Sequence, residues 1–409
     1  MKRITLRELK GSSPGYYMLL GGFALIALIG LGAAWYMEHR GHIVTGMNNQ
    51  IVWGLPHVFA VFLVVAASGA LNVASMASVF GKTEFKPLAP LSGMLAISLL
   101  LGGLTVLMLD LGRPDRLIVA MTYYNFKSIF ALNIFLYSGF TGFVIVYLWT
   151  MMEHRMNQFT PLAGLVAFIW RMALTTGTGS IFGFLVARQA YDSALLAPLF
   201  IALSFSYGLA VFLLVLMAAS LGSARPIGDA MMARFARLQV IFISAGLYFV
   251  TIYYLTNLYF TRHHAFDHFI LLSGSVYTYL FWLGPVLLGG ILPLVLLLHP
   301  QIGQMRKRIV LCAGLVVAGG FAQLYVTIIG GQAFPLVIFP GRQVSSTFFD
   351  GVINNYSPTM PEWLLGLGGV AIVGIIVLLS LKVLGFLPAD LADDIEVVTD
   401  QKLTSAAHA

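Results

Sequence analysis

Long apolar runs separated by short polar stretches set the pattern of this chain. Runs close to the roughly 20 residues a helix needs to cross a bilayer fall at 16–36, 55–79, 91–108, 129–149, 162–186, 198–219, 238–259, 277–298, 309–329 and 363–384. They predict about ten transmembrane helices and therefore an all-α, polytopic membrane protein. Glycine recurs inside them, as in Gly102-Gly103, Gly289-Gly290 and Gly319-Gly320, which suits helices that approach closely in lipid. The first run follows a basic start at 1–10 and lacks a small-residue cleavage site, so it is expected to stay as a first helix.

Composition agrees with a membrane protein. With 59% hydrophobic and 10% charged residues in 409, there is too little charge to cover a soluble surface. The net charge of +7 comes from basic loops and gives no reason to expect nucleic acid. Of 23 Lys and Arg, fifteen fall in loops on one side, seven on the other, and Arg171 lies inside a span. That asymmetry predicts both termini in the cytoplasm. The outer face then carries the loops near 38–53, 110–128, 188–196, 262–268 and 331–362, the last of which is the expected docking surface for an external partner.

A parallel repeat adds organisation. Trp53 to Asp110 spans the same interval as Phe200 to Asn257, and Leu-Asp-Leu at the first site is echoed by Thr-Asn-Leu at the second. A shift of four helices preserves direction, so the expectation is two four-helix bundles plus flanking helices. The parsing is residues 1–52 for the first helix and its outer loop, 53–186 and 187–330 for the bundles, 331–385 for an outer loop and the last helix, and 386–409 for an acidic tail.

Polar residues narrow the chemistry. Cys312 is the single cysteine, so this chain alone supplies neither a disulfide nor the thiolates of an iron–sulfur cluster. Of nine histidines only His57 enters a predicted helix, near its outer end, which argues against a bis-histidine haem, and no metal site is expected. None of the sixteen acids lies at mid-membrane. On the outer side Asp110 is the one attached directly to an apolar helix, apart from Asp192 beside Arg188. Arg171, followed by Thr175, Thr176, Thr178 and Ser180, points to a polar cavity within the membrane rather than to a snorkelling cation.

The densest stretch is Leu109-Asp110-Leu111-Gly112-Arg113-Pro114-Asp115-Arg116, at the end of the third run. It can be a helix stop with mutually paired charges. It can equally be a polar pocket in which a buried Asp exchanges a proton, while Arg113 and Arg116 lower its pKa and order the loop. On the same face Asn48-Asn49-Gln50 runs into Trp53-Gly54-Leu55-Pro56-His57. His57, one turn beyond Trp53, is a candidate to exchange a proton with a quinone carbonyl.

These motifs resemble the NrfD/PsrC family of respiratory membrane subunits. The resemblance covers about residues 48–329, rests most on 109–116, and within the family points to the quinone-facing subunit of a sulfur-metabolism complex, with a hydrogenase subunit also similar. It implies a haem-free subunit that exchanges electrons between membrane quinone (menaquinone or ubiquinone) and a periplasmic ferredoxin-like iron–sulfur subunit, alongside further membrane and cytochrome or catalytic subunits. It places Asn48, Asn49, Trp53, Arg113, Asp115 and Arg116 around the quinone and leaves Asp110 or His57 as the proton-exchanging group. One departure is Val52, where polysulfide reductase relatives have a histidine before the Trp. A solute or ion transporter is the competing reading, but it would favour a mid-membrane site and an inverted repeat.

Overall fold

The structure is a computed structural model that describes residues 6–299, 305–336 and 351–390. The first five residues of the basic start, residues 337–350 of the expected docking loop and the acidic tail beyond 390 lie outside them. Among the described residues ten helices are long and apolar enough to cross a membrane, numbered here as spans 1 to 10: Pro14–Arg40, Leu55–Ser78, Thr83–Leu109, Ile129–Met152, His154–Gly183, Leu196–Ser223, Asp229–Tyr259, Val276–Leu298, Arg306–Ala333 and Met360–Val383. The protein is an all-α polytopic membrane protein.

Local chemistry sets the span ends. Ser13 accepts a hydrogen bond from the amide of Tyr16 ahead of Pro14 at the first helical position, and Ser128 does the same for Ala131. Thr359 and Glu362 form a reciprocal capping box at span 10. Span 7 begins at Asp229, well before its apolar run at 238, because the backbone continues helically through Arg234 and Arg237. Span 2 breaks at Leu71, between helices Leu55–Ala70 and Asn72–Ser78. Wide π turns interrupt span 8 at Trp282–Ile291, around Pro285, and span 9 at Val326–Gly330.

Spans 2 to 5 pack on one another, as do spans 6 to 9, while span 1 lies along span 10, which leans on spans 2 and 3. The two groups meet where span 2 crosses span 6. A Cβ added to Gly69 would lie 1.6 Å from the carbonyl oxygen of Ser204, and one on Gly208 would lie 2.0 Å from the carbonyl carbon of Gly69. Only glycine permits this approach of backbones. At one face of the molecule Leu6–Arg7 pairs with Leu387–Pro388. There the Arg225 guanidinium donates to the carbonyls of Arg7, Glu8 and Leu387 at 2.9, 2.7 and 3.3 Å, so both ends of the described residues are tied together.

Candidate functional site

At the opposite face Asp110 caps span 3, and its amide still donates to the Val106 carbonyl at 3.1 Å. The backbone then turns through Gly112 at φ +70°, where a Cβ would meet the His42 ring at 2.9 Å. This turn leaves the Asp110 side chain fully buried beneath the loop, facing the first turn of span 2. His57 is the third residue of that span. Its Nδ1 lies 2.7 Å from Asp110 Oδ2, a contact without the alignment of a full hydrogen bond. The His57 side chain is 15% exposed and so remains reachable. Its ring stacks on Trp53, with centroids 6.0 Å apart and planes 24° apart. Trp53 also touches Phe130, Phe182 and Tyr191 at tilted or edge-on angles, which gives an aromatic wall beside the acid and imidazole.

Residues that the sequence does not single out hold this wall in place. Gln332, fully buried after the π turn of span 9, accepts from the amides of Val52 and Trp53 at 3.0 Å each. Its amide group donates to the carbonyls of Trp53 and Ile328 at 2.9 Å each. Gln50 donates to the carbonyls of Gln332, Ala333 and Phe334, and Arg188 donates to those of Gln50 and Gln332 at 2.7 and 3.0 Å. Burial holds the Arg188 guanidinium below its ordinary pKa. Tyr191 joins the set by donating to the Ile328 carbonyl at 2.6 Å.

A second anchor fixes the start of span 2. The Leu55 amide donates to the Tyr356 hydroxyl at 2.7 Å, and that hydroxyl donates to Glu362 Oε1. Glu362 Oε2 accepts from the amides of Gly46 and Thr359 at 2.9 and 2.8 Å. Burial and the Glu362 carboxylate beside it raise the Tyr356 pKa well above the ordinary range. Glu362 thus corrects the expectation that Asp110 and Asp192 are the only acids on apolar helices at this face: it is fully buried in the first turn of span 10.

The other expected residues divide. Trp53, His57 and Asp110 come together. Asn48 does not line the cluster, since it is exposed and its Oδ1 caps a local turn by accepting from Gln50 and Ile51 at 2.9 and 2.8 Å. Asn49 is exposed. Arg113 pairs with Asp115 at 3.2 Å on the surface, with both side chains more than half exposed, and each shifts the other's pKa toward the charged form. Arg116 is exposed as well. The expectation that Arg113 and Arg116 partner Asp110 is therefore corrected: its partner is His57, because the turn at Gly112 carries the arginines away. Val52 presents its side chain outward, 49% exposed, so a histidine at this position would not take the place of His57.

Arg171 is 2% exposed at the middle of span 5. It donates to the Ser68 carbonyl at 2.9 Å and lies 5.0 Å from the ring centroids of both Phe168 and Phe205. Ser68 in turn receives the Thr175 hydroxyl at 2.6 Å. The guanidinium is enclosed and does not snorkel, and aromatic faces with a carbonyl offset part of its lost hydration.

These features define an integral, helical membrane protein with a buried acid–imidazole pair at one face. Residues 43–336 match the family described as polysulphide reductase, NrfD, and the chain belongs to that family. It is 27% identical over 96% of its length to 99% of an Hdr-like menaquinol oxidoreductase integral membrane subunit of Archaeoglobus fulgidus. It is 22% identical to a selenate reductase subunit of Mesobacillus selenatarsenatis, over 87% of this chain and 90% of the relative. It is also 27% identical to a polysulfide reductase chain of Wolinella succinogenes, over 70% and 96% respectively.

Proposed function

We propose that this protein is the quinone-reactive subunit of a respiratory oxidoreductase complex, with its site at the outer, periplasmic face. The observation that carries the reading is the Asp110–His57 pair, buried but reachable, against the face of Trp53. Quinone and quinol interconvert by two electrons and two protons. An aromatic wall suits a quinone ring, and an imidazole backed by a carboxylate suits its carbonyl or hydroxyl oxygen. His57 exchanges the proton at that oxygen, and Asp110 stabilises the imidazolium that forms. The electrons pass to or from an iron–sulfur subunit docked on this face, since the present sequence offers no thiolate or haem-ligand set of its own. A menaquinol oxidoreductase subunit among the relatives supports quinone, and a polysulfide reductase chain supports sulfur-compound metabolism. The charge asymmetry of the loops supports both termini in the cytoplasm and a cytoplasmic-membrane location.

The test is oxidation of a quinol analogue by the purified complex, together with binding of a quinone-site inhibitor. Asp110→Asn and His57→Phe should each assemble and lose turnover by about 10²-fold or more, the usual scale for a lost acid–base group. If both kept parental rates and inhibitor affinity, the stretch at 109–116 would be a helix stop and the reading would fall.

A further inference from the structure

A second acid with an open coordination position lies at the same face of the other helix group, outside the site described above. Asp267, on the short helix His264–Leu271 that follows span 7, is 1% exposed. Its Oδ1 accepts from the Asn257 side-chain amide at 3.2 Å, while Oδ2 is buried with no hydrogen-bond partner. The carbonyl end of the Asn257 amide faces His263 Nδ1 at 3.3 Å, and His263 is itself 6% exposed. One amide thus bridges a buried carboxyl and a buried imidazole.

The placement is not arbitrary. Asn257 lies in the last turn of span 7 where Asp110 ends span 3, the correspondence that the repeat in the sequence marks. In the first group the span-ending position carries the acid itself and a neighbouring span brings the histidine. In the second an amide stands there, and the segment just after the span supplies both acid and histidine. Phe266, the residue before Asp267, lines a small cavity with room for about one water, together with Tyr253, Tyr254, Gln323 and Thr327. The side-chain oxygen of Gln323 is buried without a partner.

We infer that Asp267, positioned by Asn257 and His263, is a second proton-exchange site, which holds a proton on Oδ2 and can release it. A carboxylate oxygen buried without a hydrogen-bond donor favours the protonated form, because the ionised one is left uncompensated. Burial pushes the Asp267 pKa up to about 6, against smaller lowering by Asn257 and His264. The surrounding titratable and charged groups are Arg262, His263, His264 and His268 beside it in sequence, Tyr253, Tyr254 and Tyr259 on span 7, Tyr277 on span 8, and Asp192 with Arg188 and Tyr191 from the 184–195 loop. Arg262 pairs outward with Asp192 at 3.8 Å, and no cation contacts Asp267 among the described residues. The step is a proton transfer alone: an O–H bond on Oδ2 breaks, and the proton goes to water. It goes beyond the quinone reading and does not depend on it.

Infrared spectroscopy of the full-length protein in lipid nanodiscs tests this by following carboxylic acid C=O absorption between about pH 5 and 8. A band that vanishes with a midpoint near pH 6 and is missing in Asp267→Asn supports the site. Asn257→Ala, which removes the donor to Oδ1, should move the midpoint upward, a shift read on the protein's own band that does not require the first variant to fold. Wild-type and Asp267→Asn spectra that stay identical across the range would overturn the inference. So would a midpoint that follows sodium or potassium concentration, because the group would then hold a metal cation. Neither result would alter the expected effect of Asp110→Asn on quinol oxidation.

Discussion

Gln332 holds both the amide and the carbonyl of Trp53, at 3.0 and 2.9 Å, across 279 residues of sequence. One side-chain amide on span 9 thus sets the backbone from which the aromatic wall of the candidate site projects. Gln332→Met keeps the volume but leaves the Val52 and Trp53 amides without their acceptor. Two part-buried orphan donors at about 1–3 kcal/mol each predict a loss of at most about 2–6 kcal/mol. Thermal unfolding should show the loss, and inhibitor affinity should fall with it although residue 332 makes no ring contact.

Tyr356 links the start of span 2 to the capping box of span 10. Tyr356→Phe removes the acceptor of the Leu55 amide and a donor to Glu362. A destabilisation of about 2–4 kcal/mol is expected, because a carboxylate is among the groups left short. Glu362→Gln, which keeps the shape, should cost less than Glu362→Leu; equal effects in an unfolding assay would show that the carboxyl network contributes little.

Gly208 allows the two helix groups to touch. Gly208→Val would place its Cβ about 2.0 Å from span 2 backbone, which cannot move as a side chain does. Separation of spans 2 and 6 should cost more than the ~1–3 kcal/mol of ordinary overpacking. Gly222→Val, where a Cβ meets nothing within 4 Å, is the matched control and should leave the unfolding temperature nearly unchanged.

Asp267 predicts a pH dependence of stability. Folding raises its pKa from 3.8 to about 6, so the folded protein holds a proton that the unfolded state has already released. The contribution to stability is therefore complete below about pH 3.8, declines as pH rises to about 6 and is flat above. Asp267→Asn should stabilise the protein at pH 8 by at most about 3 kcal/mol, two pKa units at 1.36 each. The gain should shrink toward pH 4, as a series of chemical unfolding curves would reveal.

The ten spans were legible because each apolar run approaches bilayer thickness on its own, without help from distant residues. His57 and Asp110 were legible singly, as polar residues at apolar helix ends. Their contact was not, because it joins two spans and depends on the turn at Gly112. That same turn explains why charge density misled: Arg113 and Asp115 satisfy each other two residues apart and need no pocket. Gln332, Gln50, Arg188 and Tyr356 gave little signal since each acts by hydrogen bonds to backbone far away in sequence. Asn48 read as a ligand group because an asparagine that caps its own turn looks the same in one dimension.

The pairing of span 1 with span 10 sets an order of events during synthesis. Span 1 enters the membrane first, yet the surface it packs against is made last. A Cβ on Gly30 would lie 2.7 Å from Gly368 Cα, so the two helices fit backbone to backbone. At roughly 5–20 residues per second, the intervening sequence takes tens of seconds to appear. Until then span 1 lacks the helix it packs against, and the strand pair of Leu6–Arg7 with Leu387–Pro388 can close only afterwards. Leu6–Arg7 and Leu387–Pro388 therefore meet only after span 10 is made, and a ribosome that stopped before span 10 would leave span 1 unclasped.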